Sequence, residues 1–175
     1  MSLNADKMRQ ALGALDLLLP KSVSLLIGGG GAMVLAYQFP LVTTAIDAIP
    51  KGMDQDELAP LIWKVAQELQ LPNDWLNPWF SSFTLTLPAD YRSRLQIVFQ
   101  GAQLKVEALG KEDLLVMKCF AHRAKDIPHA RALVRQGADT EFVMEHIENL
   151  RPKKLPHTQE ALEFLDQILD MENTD

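Results

Sequence analysis

Ser22-Val23-Ser24-Leu25-Leu26-Ile27-Gly28-Gly29-Gly30-Gly31-Ala32-Met33-Val34-Leu35-Ala36-Tyr37 is the stretch on which the fold turns. Ser22 to Ile27 is a short apolar, partly β-branched run and reads as a buried strand. Four glycines follow, and Ala32 to Tyr37 then reads as a short buried helix that ends before Pro40. Such a glycine run turns the chain tightly and lets backbone amides approach a ligand. The helix behind it offers free N–H groups and a positive dipole end, which suits a phosphate. The same glycines would equally let a helix pack close against a sheet, and both readings stand at this point. The run is not a Walker loop, because no Lys-Ser/Thr follows. It is not a dinucleotide fingerprint either, because Met33 occupies the place of the third glycine.

A dozen residues on lies Thr43-Thr44-Ala45-Ile46-Asp47, inside a second strand expected over Val42 to Ile49. A strand-end Asp beside a glycine turn is well placed to hold Mg²⁺ against nucleotide phosphates, since Mg²⁺ takes carboxylate and phosphate oxygens. It could also simply cap the turn before Pro50. Upstream, Met8, Leu12, Leu15 and Leu19 recur at helical spacing, so residues 4–19 read as a helix capped by Asn4 and stopped by Pro20. Downstream, Asp54 to Leu71 reads as a helix with Asp54 as cap and Glu57 three residues on. Pro60 argues for a start nearer Glu57. Two strands, Arg94 to Phe99 and Gln103 to Ala108, meet at Gly101-Ala102. Helices are expected over 111–123, 126–136, 139–149 and 158–171. The fold class is therefore α/β (α+β): a small mixed sheet with packed helices over 1–110, and a helical C-terminal region over 111–175.

Composition agrees. The 175 residues carry 17 Lys+Arg against 23 Asp+Glu, a net charge of -6, with 47% hydrophobic residues. That is the mix of a folded globular chain, and its acidity gives no global attraction to nucleic acid. The single cysteine, Cys119, excludes an internal disulfide framework and a cysteine-rich zinc module. It lies in an apolar run and reads as a buried structural thiol. No secretory pattern opens the chain and no apolar run is long enough to span a bilayer, so a cytoplasmic location and no membrane partner are expected. The four histidines give little: His122 and His129 are separated by Pro128, and His146 and His157 have no companions, which argues against zinc. Trp75, Trp79, Phe80 and Phe83 form an aromatic cluster that reads as a core plug or as a partner surface.

Taken together, Gly29-Gly30-Gly31-Ala32 and Thr43-Thr44-Ala45-Ile46-Asp47 resemble the motifs of the nucleotidyltransferase superfamily with the polymerase-β-like fold. The likeness is to bacterial nucleotidyltransferases related to abortive-infection toxins. Members carry Gly-Gly-x-Ala on a strand-to-helix turn, then Arg-x-Thr-x-Asp-hydrophobic-Asp on the next strand. Here Thr43, Ile46 and Asp47 match, while Leu41 stands in place of the Arg and Ala45 in place of the first Asp. Leu71-Pro72-Asn73-Asp74-Trp75-Leu76-Asn77 is similar to a segment these proteins carry after the core helix, with Pro78 where an acid is common. Asp113-Leu114-Leu115, Lys118, Arg123 and Asp126 are similar to their C-terminal helix pair, with His129 where a second Asp is found. The likeness spans residues 22–136.

The resemblance implies transfer of a nucleotidyl group from a nucleoside triphosphate to a hydroxyl on RNA or a protein, with Mg²⁺ as cofactor. It implies Asp47 as metal ligand and catalytic carboxylate, Glu107 as the stand-in for the third carboxylate, and Gly29, Gly30, Thr43, Lys118 and Arg123 as nucleotide-binding residues. Ala45 cannot ligate a metal, so activity is expected to be weakened or lost. Lys118, inside the apolar run Leu114 to Ala121, must either meet an anionic ligand or an internal partner such as Asp47 or Asp126. A non-catalytic nucleotide-binding or protein-interaction module of the same fold, with a partner protein, is the alternative reading.

Overall fold

The computed structural model describes residues 2–41, 43–78 and 81–174, without the side chains of residues 81–83. Helix α1 (Ala5–Leu18) starts where Asn4 accepts from the Lys7 N–H at 2.9 Å, which satisfies one orphan donor of the first turn. Its Met8, Ala11, Leu12 and Leu15 are buried. Strand β1 (Val23–Gly28) leads into α2 (Gly29–Tyr37), then β2 (Ile46–Lys51) and α3 (Gln55–Leu69). A capping box closes the start of α3: Asp54 Oδ1 accepts from the Glu57 N–H, and Glu57 Oε2 accepts from the Asp54 N–H. This double cap holds the helix start ahead of Pro60, so Pro60 lies inside the helix rather than setting its beginning. Strands β3 (Leu76–Asn77), β4 (Gln96–Gln100) and β5 (Leu104–Ala108) follow, with 3₁₀ turns at Ser81–Thr86 and Tyr91–Arg94. Helices α4 (Lys111–Ala121), α5 (Ile127–Arg135), α6 (Thr140–Asn149) and α7 (Thr158–Thr174) complete the chain.

The five strands form one mixed sheet in the order β3-β2-β1-β5-β4. β1 is central, antiparallel to β2 and parallel to β5; β3 runs parallel to β2, and β4 antiparallel to β5. Burial alternates along β1 and β5 and at the start of β2, as the pleat requires, whereas in β4 both Gln96 and Ile97 are exposed. Val23, Leu25 and Ile27 of β1, Ile46 and Ala48 of β2, and Leu104, Val106 and Ala108 of β5 make the buried face. The opposite face carries Leu26, Asp47, Ile49, Lys105 and Glu107, all half-buried. This is the α/β class expected.

One expected strand begins later than its sequence suggested. Thr43 makes an isolated bridge with Leu3, and regular pairing starts only at Ile46. Val42 lies outside the described residues. The bridge ties the lead-in to the chain's N-terminal segment instead of to β1, so Ala45 precedes the strand. The rule that alternate strand residues share a face therefore does not carry Ala45 onto the face of Asp47.

The chain divides into two compact units, one of Met1–Ser82 with Leu95–Leu109, the other of Phe83–Arg94 with Gly110–Asp175. The first contains the sheet and α1–α3. Within it Asp16 turns inward from α1 and accepts from the N–H groups of Ala102, Gln103 and Leu104 at 3.0, 2.8 and 2.7 Å. One carboxylate thus fixes the β4–β5 turn. In the second unit α4 packs against α5, α6 and α7, and its Leu114, Leu115, Val116 and Cys119 are fully buried. Asp113 is also fully buried there and takes a two-pronged contact from Arg94, Nε to Oδ2 at 2.9 Å and Nη2 to Oδ1 at 2.8 Å. Among the described residues no helix is long and apolar enough to cross a membrane.

Candidate functional site

The glycine turn and Asp47 meet in the first unit. Gly28, the last residue of β1, is the register partner of Asp47 on β2. Gly29 follows at φ +60, a left-handed conformation that favours glycine. A Cβ at Gly29 would lie 3.1 Å from Asp47 Oδ2, and one at Gly31 would lie 3.2 Å from Ile46 Cγ2. Side chains at these positions would need Asp47 or Ile46 to give way by a few tenths of an ångström. The close-packing reading of the glycines is thus realised, and it is what lays the carboxylate of Asp47 against the first residue of α2. Gly30 faces Leu41 and Thr43, each at ordinary contact distance from where its Cβ would stand. Thr43 Oγ1 donates to the Ala45 carbonyl at 3.2 Å.

Asn77 was not among the residues the sequence pointed to for the site. It is the register partner of Asp47 across the parallel β2–β3 pair, and its Nδ2 donates to Asp47 Oδ1 at 3.1 Å. Oδ1 is thereby held by an amide while Oδ2 faces the glycine turn. The signal in the sequence was the Trp75-Leu76-Asn77 segment, but nothing in it says which strand Asn77 pairs with. Trp75 explains why the segment sits there: it is fully buried and its Nε1 donates to the Ile62 carbonyl of α3 at 2.9 Å. Trp75 is therefore a core plug. Trp79 and Phe80 lie outside the described residues, as does the Phe83 side chain.

Glu107 shares the half-exposed sheet face with Asp47 but not its neighbourhood. Glu107 is level with Leu26, while Asp47 is level with Gly28, and β1 lies between them. Two strand spacings and a two-residue stagger put their Cα atoms roughly 12 Å apart. Glu107 Oε1 is 3.3 Å from Lys105 Nζ. Among the described residues no three His, Cys, Asp or Glu side chains gather to hold a metal ion.

Lys118 and Arg123 belong to the second unit, and the structure brings them together on one acid. Lys118 Nζ donates to Asp126 Oδ1 at 3.0 Å; Arg123 donates to Asp126 Oδ2 from Nε at 2.7 Å and to Oδ1 from Nη2 at 3.1 Å. Lys118 is 6% exposed and Asp126 1%. Burial pushes Asp126 upward, but Arg123 and Lys118 outweigh it and hold the carboxyl below its usual range. Burial pulls the Lys118 ammonium below its usual value, with Asp126 opposing. Burial and then the nearby Lys118 charge push His129 down to about 4, so its ring is neutral at pH 7. Asp126 is the internal partner that the sequence allowed Lys118. Cys119 is buried, and burial pushes its thiol far up, so it holds no reactive thiolate.

Comparison with protein families matches residues 6–154 to a family model described as "Nucleotidyltransferase of unknown function (DUF6036)". Searches of curated proteins and of solved structures return no match.

Proposed function

The chain belongs to this nucleotidyltransferase family of unknown function, and from that membership we propose that it binds a nucleoside triphosphate at the glycine turn of its first unit, with Asp47 as the one carboxylate of the site. The observation that carries the reading is how near Asp47 lies to the glycine turn, where a Cβ on Gly29 would stand 3.1 Å from Asp47 Oδ2 and a strand, a left-handed glycine and a helix start converge. A helix start favours phosphate oxygens, and a neighbouring carboxylate favours a cation between them.

Nucleotidyl transfer of the superfamily type needs two metal ions held by two or three carboxylates. The donor set here does not fit two ions. Ala45 has no side-chain donor, Asn77 offers an amide, and Glu107 stands apart with Lys105. A single Mg²⁺ carried on the triphosphate, with Asp47 as its protein ligand, is what these residues can hold. The proposal is accordingly a nucleotide-binding protein of the nucleotidyltransferase family in which transfer to a hydroxyl of RNA or protein is weakened or lost. The relation to abortive-infection toxins and a partner protein belong to the same proposal. It is argued from the first unit; Lys118 and Arg123, nucleotide-binding residues by the resemblance, belong to the second unit, where they share Asp126.

The test is titration of ATP, GTP, CTP and UTP with and without Mg²⁺, together with label transfer from α-labelled NTP to total RNA. Binding of at least one NTP, lost in Asp47→Ala and in Gly29→Val, is the expected result, with transfer near background. Vigorous transfer by the native chain would overturn the weakened-activity reading. Absence of any NTP binding at millimolar concentration would overturn the nucleotide reading itself.

A further inference from the structure

His122 and His157, distant in sequence, stand side by side in the second unit with ring centroids 5.3 Å apart and planes inclined by 46°. His122 closes α4 in a left-handed conformation at φ 39, and His157, also left-handed at φ 68, immediately precedes α7. L-residues adopt that region at a cost of about 1–2 kcal/mol, so the backbone at both positions is held by its surroundings. The His122 Nδ1 lies 2.8 Å from the Phe120 carbonyl. A carbonyl only accepts, so Nδ1 carries the proton and the lone pair of the neutral ring is on Nε2. That is how a metal-binding histidine is oriented from behind. Glu160 Oε1 lies 4.0 Å from His157 Nδ1, beyond hydrogen-bond distance. Both histidines are exposed.

The spacing fits one ion between two imidazoles. A metal–nitrogen distance of about 2.05 Å and a nitrogen-to-centroid distance of about 1.15 Å put each ring centre about 3.2 Å from the metal. At a tetrahedral angle, two such rings have centres roughly 5.2 Å apart, against the 5.3 Å observed. We propose that His122 and His157 form a two-histidine site for a divalent transition metal of the zinc or nickel class, which clips the end of α4 to the start of α7. Imidazole nitrogen selects such ions over Mg²⁺ and Ca²⁺, which demand oxygen. Since no three candidate ligands gather among the described residues, water completes the coordination. The site lies within the second unit and is independent of the nucleotide reading.

The experiment is calorimetric titration of the full, tag-free chain with Zn²⁺, Ni²⁺ and Mg²⁺. One Zn²⁺ or Ni²⁺ per chain is expected, not displaced by a hundredfold excess of Mg²⁺. His122→Gln and His157→Gln should each weaken binding at least tenfold. His146→Gln should leave it unchanged, because His146 is engaged by the Thr86 carbonyl. The melting temperature should rise with Zn²⁺ in the native chain and not in the double variant. Absence of Zn²⁺ and Ni²⁺ binding to the native chain would overturn the proposal and leave the rings as a simple stacked pair. So would an affinity changed less than tenfold in the double variant. Should a variant fail to fold, Ni²⁺ line-broadening in the native chain decides: it must centre on the ring signals of His122 and His157, and broadening centred elsewhere overturns the assignment.

Discussion

Asn77 and Asp47 are register partners across the parallel β2–β3 pair, and the amide of one donates to the carboxylate of the other at 3.1 Å. A second carboxylate is therefore best introduced at position 77, since Ala45 precedes the strand. Asn77→Asp would place two carboxylates about 3 Å apart, and each would raise the apparent pKa of the pair. A pair raised in the folded state destabilises it above the unfolded carboxylate range and relaxes as pH falls. We expect a loss of about 1–3 kcal/mol in urea unfolding at pH 7.5, largely restored by millimolar Mg²⁺, together with tighter Mg²⁺-nucleotide binding than in the native chain. Indifference of the variant to Mg²⁺ would contradict the proximity of the two side chains.

Asp126 balances two cations. Asp126→Asn would leave Lys118 buried with no counter-ion, and removal of one partner of such a pair typically costs about 3–5 kcal/mol. Lys118→Met keeps the volume and leaves Asp126 with Arg123, so its cost should stay below about 1.5 kcal/mol. Denaturant unfolding of both variants measures the difference. Equal losses would mean that Arg123, which is half exposed, does not hold the carboxylate.

His129 should give the protein an acid-sensitive step. Its folded value is pushed down to about 4, chiefly by burial and then by Lys118. The unfolded ring, at about 6.5, therefore takes up a proton before the folded one does. The stabilisation is complete above the unfolded value and is lost as pH falls from about 6.5 towards 4, to a limit of about 3 kcal/mol. His129→Gln should flatten that limb of the stability curve. An unchanged slope between pH 6.5 and 4.5 would contradict the depressed value.

Asp16 stabilises a turn formed far from it in sequence. Burial pushes its carboxyl up, but the N–H groups of Gln103, Leu104 and Ala102 more than offset this and hold it below the usual range. Its contribution is present above the ordinary carboxylate value near 3.9 and fades as pH falls through the lowered folded value. Asp16→Asn presents an amide to three donors and should cost about 2–4 kcal/mol at neutral pH. Amide exchange of Gln103 and Leu104 should quicken with it. Gly101 belongs to the same device, since a Cβ there would collide with the Asp16 carboxylate.

The sequence by itself determined the local elements and their order. The apolar spacing of α1, the Asp54–Glu57 cap of α3, the alternating burial of β5 and the glycine break between β1 and α2 are all written within a few residues of where they act. The likeness of Gly29–Ala32 and Thr43–Asp47 to nucleotidyltransferase motifs was legible for the same reason. Only the tertiary structure decided which side chains meet. β2 starts at Ile46 because Leu3 claims Thr43, Asp126 captures Lys118 and Arg123, Asn77 orients Asp47, and His157 finds His122. Spacing along a helix or strand reports neighbours a few residues away, whereas these contacts are fixed by strand order and helix packing, which close long loops and leave no periodic trace in the chain.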